Sequence, residues 1–316
     1  MQPRSLAREA VPTVSTLNAA LLAVAAAARI AVGGRLLAAS GAFLLATPAL
    51  AQTPLPPILS VATVDLRNAG GPLEHVEGAE PATAELSYAS PNPLFDAQLV
   101  GRAETFGGSM PAATAELEVS ARKVEEFGSG QFRGAASSAL YYWMQVRERR
   151  APPIAFLPQL RVHARVVGEA SVSGSGGGAT ASAIARIGLR SATAQVRTDG
   201  VTSDGFDESF VFVVLPEQQV PISITAGVSA GVTVVPDFPE GFASGRAFAA
   251  DPVLRFDEEE FAEYLVERGV EPFLQADYYE LELSEPITVS EPGAVASLLS
   301  AVAAIRVARG RRASVR

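Results

Sequence analysis

The chain has 316 residues, a formal charge of −9, no cysteine, two histidines and one tryptophan. The missing cysteines exclude thiol catalysis, disulfide frameworks and Cys-ligated zinc. Residues 1–51 carry a net +3 and residues 291–316 a net +4, so residues 52–290 carry −16. This excess repels phosphate groups and argues against nucleic-acid binding and against a polybasic membrane-surface role.

The first residues carry the pattern of a secretory signal peptide. Arg35 precedes an apolar run of eleven residues, 36–46, and small residues follow at Ala49 and Ala51. This order of positive, apolar and small residues predicts cleavage between Ala51 and Gln52. A buried amphipathic helix is the alternative, but the run is apolar on every side.

An upstream patch complicates the start of this signal. Residues 17–28 are also rich in Ala and Leu, and Arg29 and Arg35 separate them from the second run. Two such patches in one signal are unusual. Our hypothesis is that translation begins later, for example at Val32, which would give a compact signal.

The sequence predicts a loop-rich linker and a first strand over residues 52–82. It predicts one all-β domain over residues 83–288. Apolar residues alternate there with polar ones, as at Leu117, Val119 and Ala121, so that each strand has one core face and one solvent face. Gly- and Pro-rich turns separate the runs, with almost no long helical pattern between them. The pattern is typical of an antiparallel β-sandwich or jelly-roll. Further alternating runs are 160–166, 228–234 and 279–284.

Three segments of this domain give more specific predictions. Residues 210–215 are apolar on both faces, which predicts a central strand, and the pair Asp204-Gly205 predicts a turn. Residues 136–147 fit a helix about as well as a strand. We find no convincing internal repeat.

A short helix is predicted near 257–268. Asp257 is suited to the N-cap position, Glu260 follows three residues later, and Gly269 lies just beyond the end. The acids of the first turn also complement the helix dipole.

Two clusters of carboxylates bear on catalysis and metal binding. The acidic run 257–260, with Glu263 and Glu267, has the residue types of a glycosidase pair, which needs carboxylates about 5 to 10 Å apart. Such acids on a capped helix are far more often a solvated face. The second cluster suits calcium in a flexible loop, although its spacing does not fit an EF-hand and Asp-Gly also forms ordinary hairpin turns. Its members are Asp199, Asp204, Asp207 and Glu208.

Other signals of chemistry are weak. His75 and His163 are too few and too isolated for zinc, and no Gly-x-Ser-x-Gly elbow accompanies them, so serine hydrolysis is not predicted. His163 is expected on the outer face of a strand. The glycine stretch 174–178 is not a phosphate loop, because no lysine and no helix follow it. We therefore expect no catalytic residues, no metal and no cofactor.

One aromatic cluster stands out. Tyr141, Tyr142 and Trp143 are consecutive, and arginines follow at 147, 149 and 150. Sugar rings stack on such side chains, which makes polysaccharide a candidate ligand. Packing in the core, or at its rim, is the more ordinary role of these residues.

The last 28 residues read as a turn, an apolar helix and a basic stop. Residues 294–305 hold no charge, and twelve residues span about 18 Å as a helix, short of the hydrocarbon core of about 30 Å. Extension through Ala308 with Arg306 snorkelling gives a marginal span. The basic end is expected to remain cytoplasmic. Its arginines are Arg306, Arg309, Arg311, Arg312 and Arg316.

Residues 289–316 resemble the PEP-CTERM sorting domain of exported bacterial proteins, which consists of a Pro-Glu-Pro motif, an apolar helix and an arginine-rich end. Glu291 and Pro292 match the last two motif positions, Gly293 is a common following residue, and Ser290 replaces the first proline. The resemblance implies recognition by an exosortase, a membrane-embedded cysteine transpeptidase-like enzyme, in bacteria that typically make exopolysaccharide. The alternative is an ordinary C-terminal helix with a basic end.

Together these features predict an exported protein of the cell envelope or the extracellular space. We expect a non-enzymatic protein that is structural, adhesive or associated with exopolysaccharide. Its expected partners are the secretion machinery and an exosortase, with the C-terminal helix transiently in the inner membrane. Two alternatives stay open: a hydrolase or lyase that acts on polysaccharide, and a calcium-stabilised adhesion module.

Overall fold

A computed structural model describes residues 54–125, 128–198 and 200–288. Within them lie thirteen β-strands and one α-helix, and every pair of strands is antiparallel. The strands are β1 (Leu59–Asp65), β2 (Leu73–Gly78), β3 (Thr83–Ala89), β4 (Phe95–Phe106), β5 (Ala112–Lys123), β6 (Gly130–Glu148), β7 (Leu160–Ser175), β8 (Gly177–Ile187), β9 (Arg190–Thr198), β10 (Thr202–Val214), β11 (Val220–Val234), β12 (Glu240–Phe256) and β13 (Tyr279–Leu283), and the helix is α1 (Glu258–Glu267).

The strands form two packed sheets. Sheet A has the order β2-β1-β6-β11-β8-β9, and β13 pairs with the end of β6 beyond β1. Sheet B has the order β10-β7-β12-β5-β4-β3. The predicted all-β antiparallel sandwich is confirmed. Both β1 and β2 belong to sheet A, so the sandwich includes strands that precede residue 83.

The core lies between the inner faces of the two sheets. Alternation in the sequence sets these faces, since Leu117, Val119 and Ala121 on β5 are almost fully buried. Many inward positions hold alanine or glycine, and the sheets approach closely there. A Cβ atom added at Gly245 would lie 2.5 Å from Cγ1 of Val228.

Two predictions about β10 are wrong. Residues 210–215 do not form a central strand, because β10 is an edge of sheet B and in the described chain pairs only with β7. Phe210 and Phe212 pack against the core from this edge, whereas Val213 is 49% exposed. An apolar run on both faces therefore does not require a neighbouring strand on both sides. Asp204-Gly205 is not a turn but lies within β10, opposite β7.

The structure decides between helix and strand for one segment and contains the predicted helix. Residues 136–147 lie within the long strand β6. Asp257 caps α1, since its Oδ1 accepts from the Glu260 N–H at 3.0 Å, and Gly269 follows the helix with a φ of 70°. The apolar side of the helix is buried at Phe261, Tyr264 and Leu265.

Candidate functional site

A groove of about 750 Å³ lies on the outer face of sheet B. The strand register places one row of side chains across all six strands of this sheet. From β3 to β10 the row consists of Glu85, Arg102, Glu116, Arg246, Ser171 and Ser203. Charged groups therefore occupy one half of this row and hydroxyl groups the other.

Charges alternate in the half of the row nearer β3. Arg246 Nε lies 2.7 Å from Glu116 Oε1, and Arg102 faces Glu116 from the opposite side. Arg102 also donates to Glu104 Oε1 at 2.5 Å, and this hydrogen bond raises the pKa of Arg102. Solvent screens exposed pairs of this kind, so they contribute little to stability. Their main effect is to fix the positions of guanidinium and carboxylate groups on the sheet.

The other half of the groove is rich in hydroxyl groups. Ser171, Ser173 and Ser244 line it, together with the carboxylates of Glu118 and Glu169. Among the described residues, neither carboxylate is part of an ion pair. The lining contains no aromatic ring. The groove is suited to hydrogen bonds with a hydroxyl-rich ligand and not to ring stacking.

The aromatic cluster of the sequence is divided between the two sides of sheet A. Tyr142 is 1% exposed and points into the core, whereas Tyr141 is 38% exposed and faces outward with the half-buried Trp143. The alternation of side chains along a strand separates the neighbours. Tyr142 is thus a core residue, and two aromatic residues remain on the surface of β6.

Tyr142 forms a buried polar contact between the sheets. Its hydroxyl donates to Asp251 Oδ2 at 2.8 Å, and Asp251 is 3% exposed, next to a register shift in β12. Oδ1 of Asp251 has no partner in the described part of the chain. Burial raises the pKa of Asp251 to about 7, although hydrogen bonds from Tyr142 and the Val253 N–H act in the opposite direction. This carboxyl group therefore holds its proton at weakly acidic pH.

The proposed calcium loop is not a loop. Asp204, Asp207 and Glu208 lie on β10, and Asp199 lies outside the described residues. Arg165 donates to both carboxylate oxygens of Asp207, at 2.8 and 2.7 Å, and lowers the pKa of Asp207. Because neighbouring positions of a strand face opposite sides, Asp207 points away from Asp204 and Glu208. The described residues contain no group of three His, Cys, Asp or Glu side chains that is suited to a metal ion.

The acids of α1 serve the local fold. Asp257 caps the helix, and Glu258 accepts from the backbone N–H groups of Gln275 at 2.7 Å and Ala276 at 3.0 Å. Glu258 thereby joins the helix to the 3-10 turn Gln275–Asp277. The other acids of the cluster are exposed, as expected for a solvated face: Glu259, Glu260, Glu263 and Glu267.

The two histidines lie on different sheets. His75 on β2 contacts Thr63 Oγ1 at 2.8 Å through Nδ1. His163 lies on the outer face of β7, as predicted, with Nδ1 3.9 Å from Asp257 Oδ2. Burial, followed by the nearby charge of Arg255, lowers the pKa of His163. Within residues 54–125, 128–198 and 200–288, neither histidine belongs to a group of side chains suited to hold a metal ion.

The glycine stretch forms the turn between β7 and β8. Gly176 has a φ of 67°, and a Cβ atom there would lie 2.9 Å from the carbonyl oxygen of Glu240. Both the backbone conformation and the close approach favour glycine. The tight turn between β7 and β8 therefore explains the glycine at position 176.

Both ends of the described domain meet at Ser284. Its hydroxyl donates to the Pro56 carbonyl at 2.7 Å and accepts from the Trp143 N–H at 2.9 Å, and the residue is 1% exposed. Beyond it, the Thr288 N–H donates to the Gly108 carbonyl at 3.0 Å. The described chain therefore starts and finishes at one end of the sandwich, which we call the terminal end.

The predicted processing and sorting residues lie outside the described residues, so the structure does not describe their surroundings. They are Ala49, Ala51 and Gln52 at the signal cleavage site, Ser290, Glu291, Pro292 and Gly293 at the sorting motif, and Arg306, Arg309, Arg311 and Arg312 at the basic stop.

Several residues that make notable contacts in the structure were not predicted from the sequence. Asp251 interrupts an apolar and alanine-rich stretch of β12, which is a signal for a buried polar group. Ser284 and the pair Arg246 and Glu116 have no local signal, because their partners lie more than a hundred residues away in the chain.

The comparisons leave the family of the chain open. No protein-family model matches it, and no curated protein matches its sequence. In the part of the chain that the structure describes, no helix is both long enough and apolar enough to cross a membrane.

Proposed function

We propose that this chain is an exported protein of the cell envelope or extracellular space, with a non-enzymatic structural or adhesive role. The signal-type residues before Gln52 and the sorting-type segment 289–316 supply the starting point. The observation that carries the proposal is the meeting of both ends of the domain at Ser284. In such a domain, the N-terminal segment can direct export while the C-terminal segment holds the chain at the membrane. The far end of the sandwich then points away from the membrane.

Processing is part of the proposal. The secretion machinery exports the chain, and an exosortase-type enzyme recognises Ser290 to Gly293 while the apolar helix is transiently in the inner membrane. The helical state of the two flanking segments and the finer assignment to a jelly-roll stay predictions.

The proposed partner is an exopolysaccharide, bound in the groove of sheet B. Its guanidinium, carboxylate and hydroxyl groups match the hydrogen-bonding needs of a sugar polymer. The charge of −16 on residues 52–290 favours a neutral polymer over an acidic one.

A polysaccharide hydrolase or lyase is the second candidate. Glu116 and Glu118 share the outer face of β5 two residues apart, about 7 Å by strand geometry, which lies within the range of glycosidase pairs. The ion pair between Glu116 and Arg246 supports the binding role instead, since it occupies one of the two carboxylates. Release of new reducing or unsaturated ends from a bound polymer would favour the enzyme.

Cell fractionation tests the proposed address. We expect the wild-type protein in the envelope or the medium, and an Ala49→Arg variant as an uncleaved precursor, because arginine does not fit the small position of a signal cleavage site. Recovery of both proteins in the cytosol at full length would contradict the proposal.

Co-sedimentation with polymers tests the partner. The probes are neutral dextran and acidic alginate, and the variant is Arg246→Ala. Loss of one charged hydrogen-bond donor is expected to weaken binding about tenfold. Arg197→Ala on the exposed side of β9 in sheet A is the matched control and should bind like wild type. Equal binding by the wild type, Arg246→Ala and Arg197→Ala would show that the groove of sheet B is not the binding site.

A further inference from the structure

An apolar corner lies on the outer face of sheet A at the terminal end. Leu59 and Tyr141 are each 38% exposed and lie opposite each other in the register. Trp143 is half-buried on the same side of β6 and lies opposite the exposed Pro221. Leu189 is fully exposed at the turn between β8 and β9. These five residues define what we call the terminal corner.

The turn that carries Leu189 is fixed next to the rest of the corner. The Gly188 N–H donates to the Pro221 carbonyl at 2.9 Å. Arg186 lies opposite Ser223, which is itself opposite Tyr141, and Arg190 directly follows Leu189. Two arginines therefore border the exposed apolar side chains.

Two acidic side chains near the corner are already paired. Glu217 Oε2 accepts from the Gln145 amide at 2.6 Å, and Glu282 Oε2 lies 2.6 Å from Arg147 Nε. Burial raises the pKa of Glu282, and Arg147 acts against this shift. The corner thus presents exposed apolar surface and arginines, while the carboxylates of Glu217 and Glu282 contact groups of the domain.

This combination matches the chemistry of a phospholipid interface. Tryptophan and tyrosine favour the level of the headgroups, leucine enters the acyl boundary, and arginine contacts phosphate while its stem packs against apolar groups. The average charge of the domain is acidic, so long-range attraction to lipid is absent. Contact must therefore be local and apolar, and a tether must bring the corner to the surface.

The terminal corner lies where the chain itself could act as this tether. Pro56 and Ser284 join within hydrogen-bonding distance beside Trp143, and residues 289–316 follow from this end. A segment that holds the chain at a membrane would keep the terminal corner close to the same surface.

We propose that the terminal corner docks on the phospholipid interface of the membrane that retains the C-terminal segment. Leu189 enters the acyl boundary, Tyr141 and Trp143 lie among the headgroups, and Arg186 and Arg190 contact lipid phosphates. The inference rests on the proposed retention at a membrane and adds that the sandwich itself touches that membrane in a fixed orientation.

Trp143 provides a direct test, because it is the only tryptophan of the chain. The full chain is reconstituted into phosphatidylcholine vesicles with or without brominated acyl chains, which quench nearby tryptophan. We expect the brominated lipids to reduce Trp143 emission, and the emission to shift to shorter wavelength relative to the chain without lipid. Unchanged emission in both kinds of vesicle would overturn the inference.

Two variants make the test specific. Leu189→Glu should shift the docking equilibrium about tenfold towards the free state, because one exposed leucine no longer enters the lipid. Leu73→Glu is the matched control, since Leu73 is 43% exposed and lies on β2, opposite Asp65 at the far end of β1. The control should be quenched like wild type. Equal quenching in the wild type and Leu189→Glu would also overturn the inference.

The remaining outcomes separate lipid from other occupants. If Trp143 emission responds to soluble dextran and not to lipid, the corner is a sugar site and the inference is wrong. If the chain self-associates and lipid does not quench Trp143, the corner is an interface between copies and the inference is wrong. A protein that is exported but unquenched contradicts the docking alone, whereas a quenched protein that never leaves the cytosol contradicts only the proposed function.

Discussion

The buried carboxyl group of Asp251 makes the stability of the sandwich depend on pH. Asp251 lies between the sheets with one oxygen bonded to Tyr142, and burial raises its pKa from the ordinary value of 3.8 to about 7. Between these values the folded state holds a proton that the unfolded state has lost. The contribution of Asp251 to the free energy of unfolding must therefore fall as pH rises from about 4 to about 7, and become level above that.

The size of this effect follows from the two pKa values. At about 1.4 kcal/mol per pH unit, the difference between 3.8 and about 7 corresponds to about 4 kcal/mol. Asp251→Asn keeps the shape and an oxygen for Tyr142 but cannot ionise. The wild type should therefore lose up to about 4 kcal/mol relative to Asp251→Asn between about pH 4 and pH 8.

Urea unfolding followed by Trp143 fluorescence measures this difference at a series of pH values. Asp207→Asn is the matched control, because its carboxyl group is on the surface and its pKa is lowered by Arg165, so its effect appears only at more acidic pH. Tyr142→Phe should extend the decline to higher pH, since the lost hydrogen bond had lowered the pKa of Asp251. A difference between wild type and Asp251→Asn that stays constant with pH would mean that the pKa of Asp251 is the same in the folded and unfolded states.

Three further substitutions test the packing, each by urea unfolding. Ser284→Ala should cost about 2 kcal/mol, because the partly buried carbonyl of Pro56 loses its donor and the Trp143 N–H loses its acceptor. Asp257→Ala should cost about 1 kcal/mol, because α1 loses its N-cap. Gly245→Val should cost about 2 kcal/mol or more, because its side chain would overlap Val228, and Val228→Ala in the same chain should recover part of the loss.

The exposed residues of the same elements provide the controls. Ser137→Ala on the outer face of β6 and Glu263→Ala on the exposed side of α1 should change the free energy of unfolding little. If Ser284→Ala cost no more than Ser137→Ala, the junction of the two ends would not be a stabilising contact. If Gly245→Val were neutral, the sheets would be further apart at that point than the structure indicates.

The sequence predicts the class of fold because period-two alternation is a local signal. The alternation at Leu117, Val119 and Ala121 identifies an inward face without any knowledge of the opposite sheet. The helix is predictable for a similar reason, since Asp257 and the N–H group it caps are only three residues apart. Such features depend on neighbours in the chain.

The order of strands and the candidate sites are not predictable in this way. The apolar residues of β10 give no sign that one side of the strand lacks a neighbour, because hydrophobicity reports burial of faces and not of edges. The row in the groove of sheet B requires the register of six strands, and Arg246 and Glu116 are far apart in the chain. The terminal corner likewise depends on pairing among β1, β6, β8 and β11.

The proposed function requires that the chain is exported and processed at both ends. Both events are visible in the terminal sequences of the native protein, determined by mass spectrometry from the envelope and the medium. We expect a mature chain that begins at Gln52 and lacks the segment after about residue 290. A cytosolic chain that retains the residues before Gln52 and the arginines after Ile305 would contradict it.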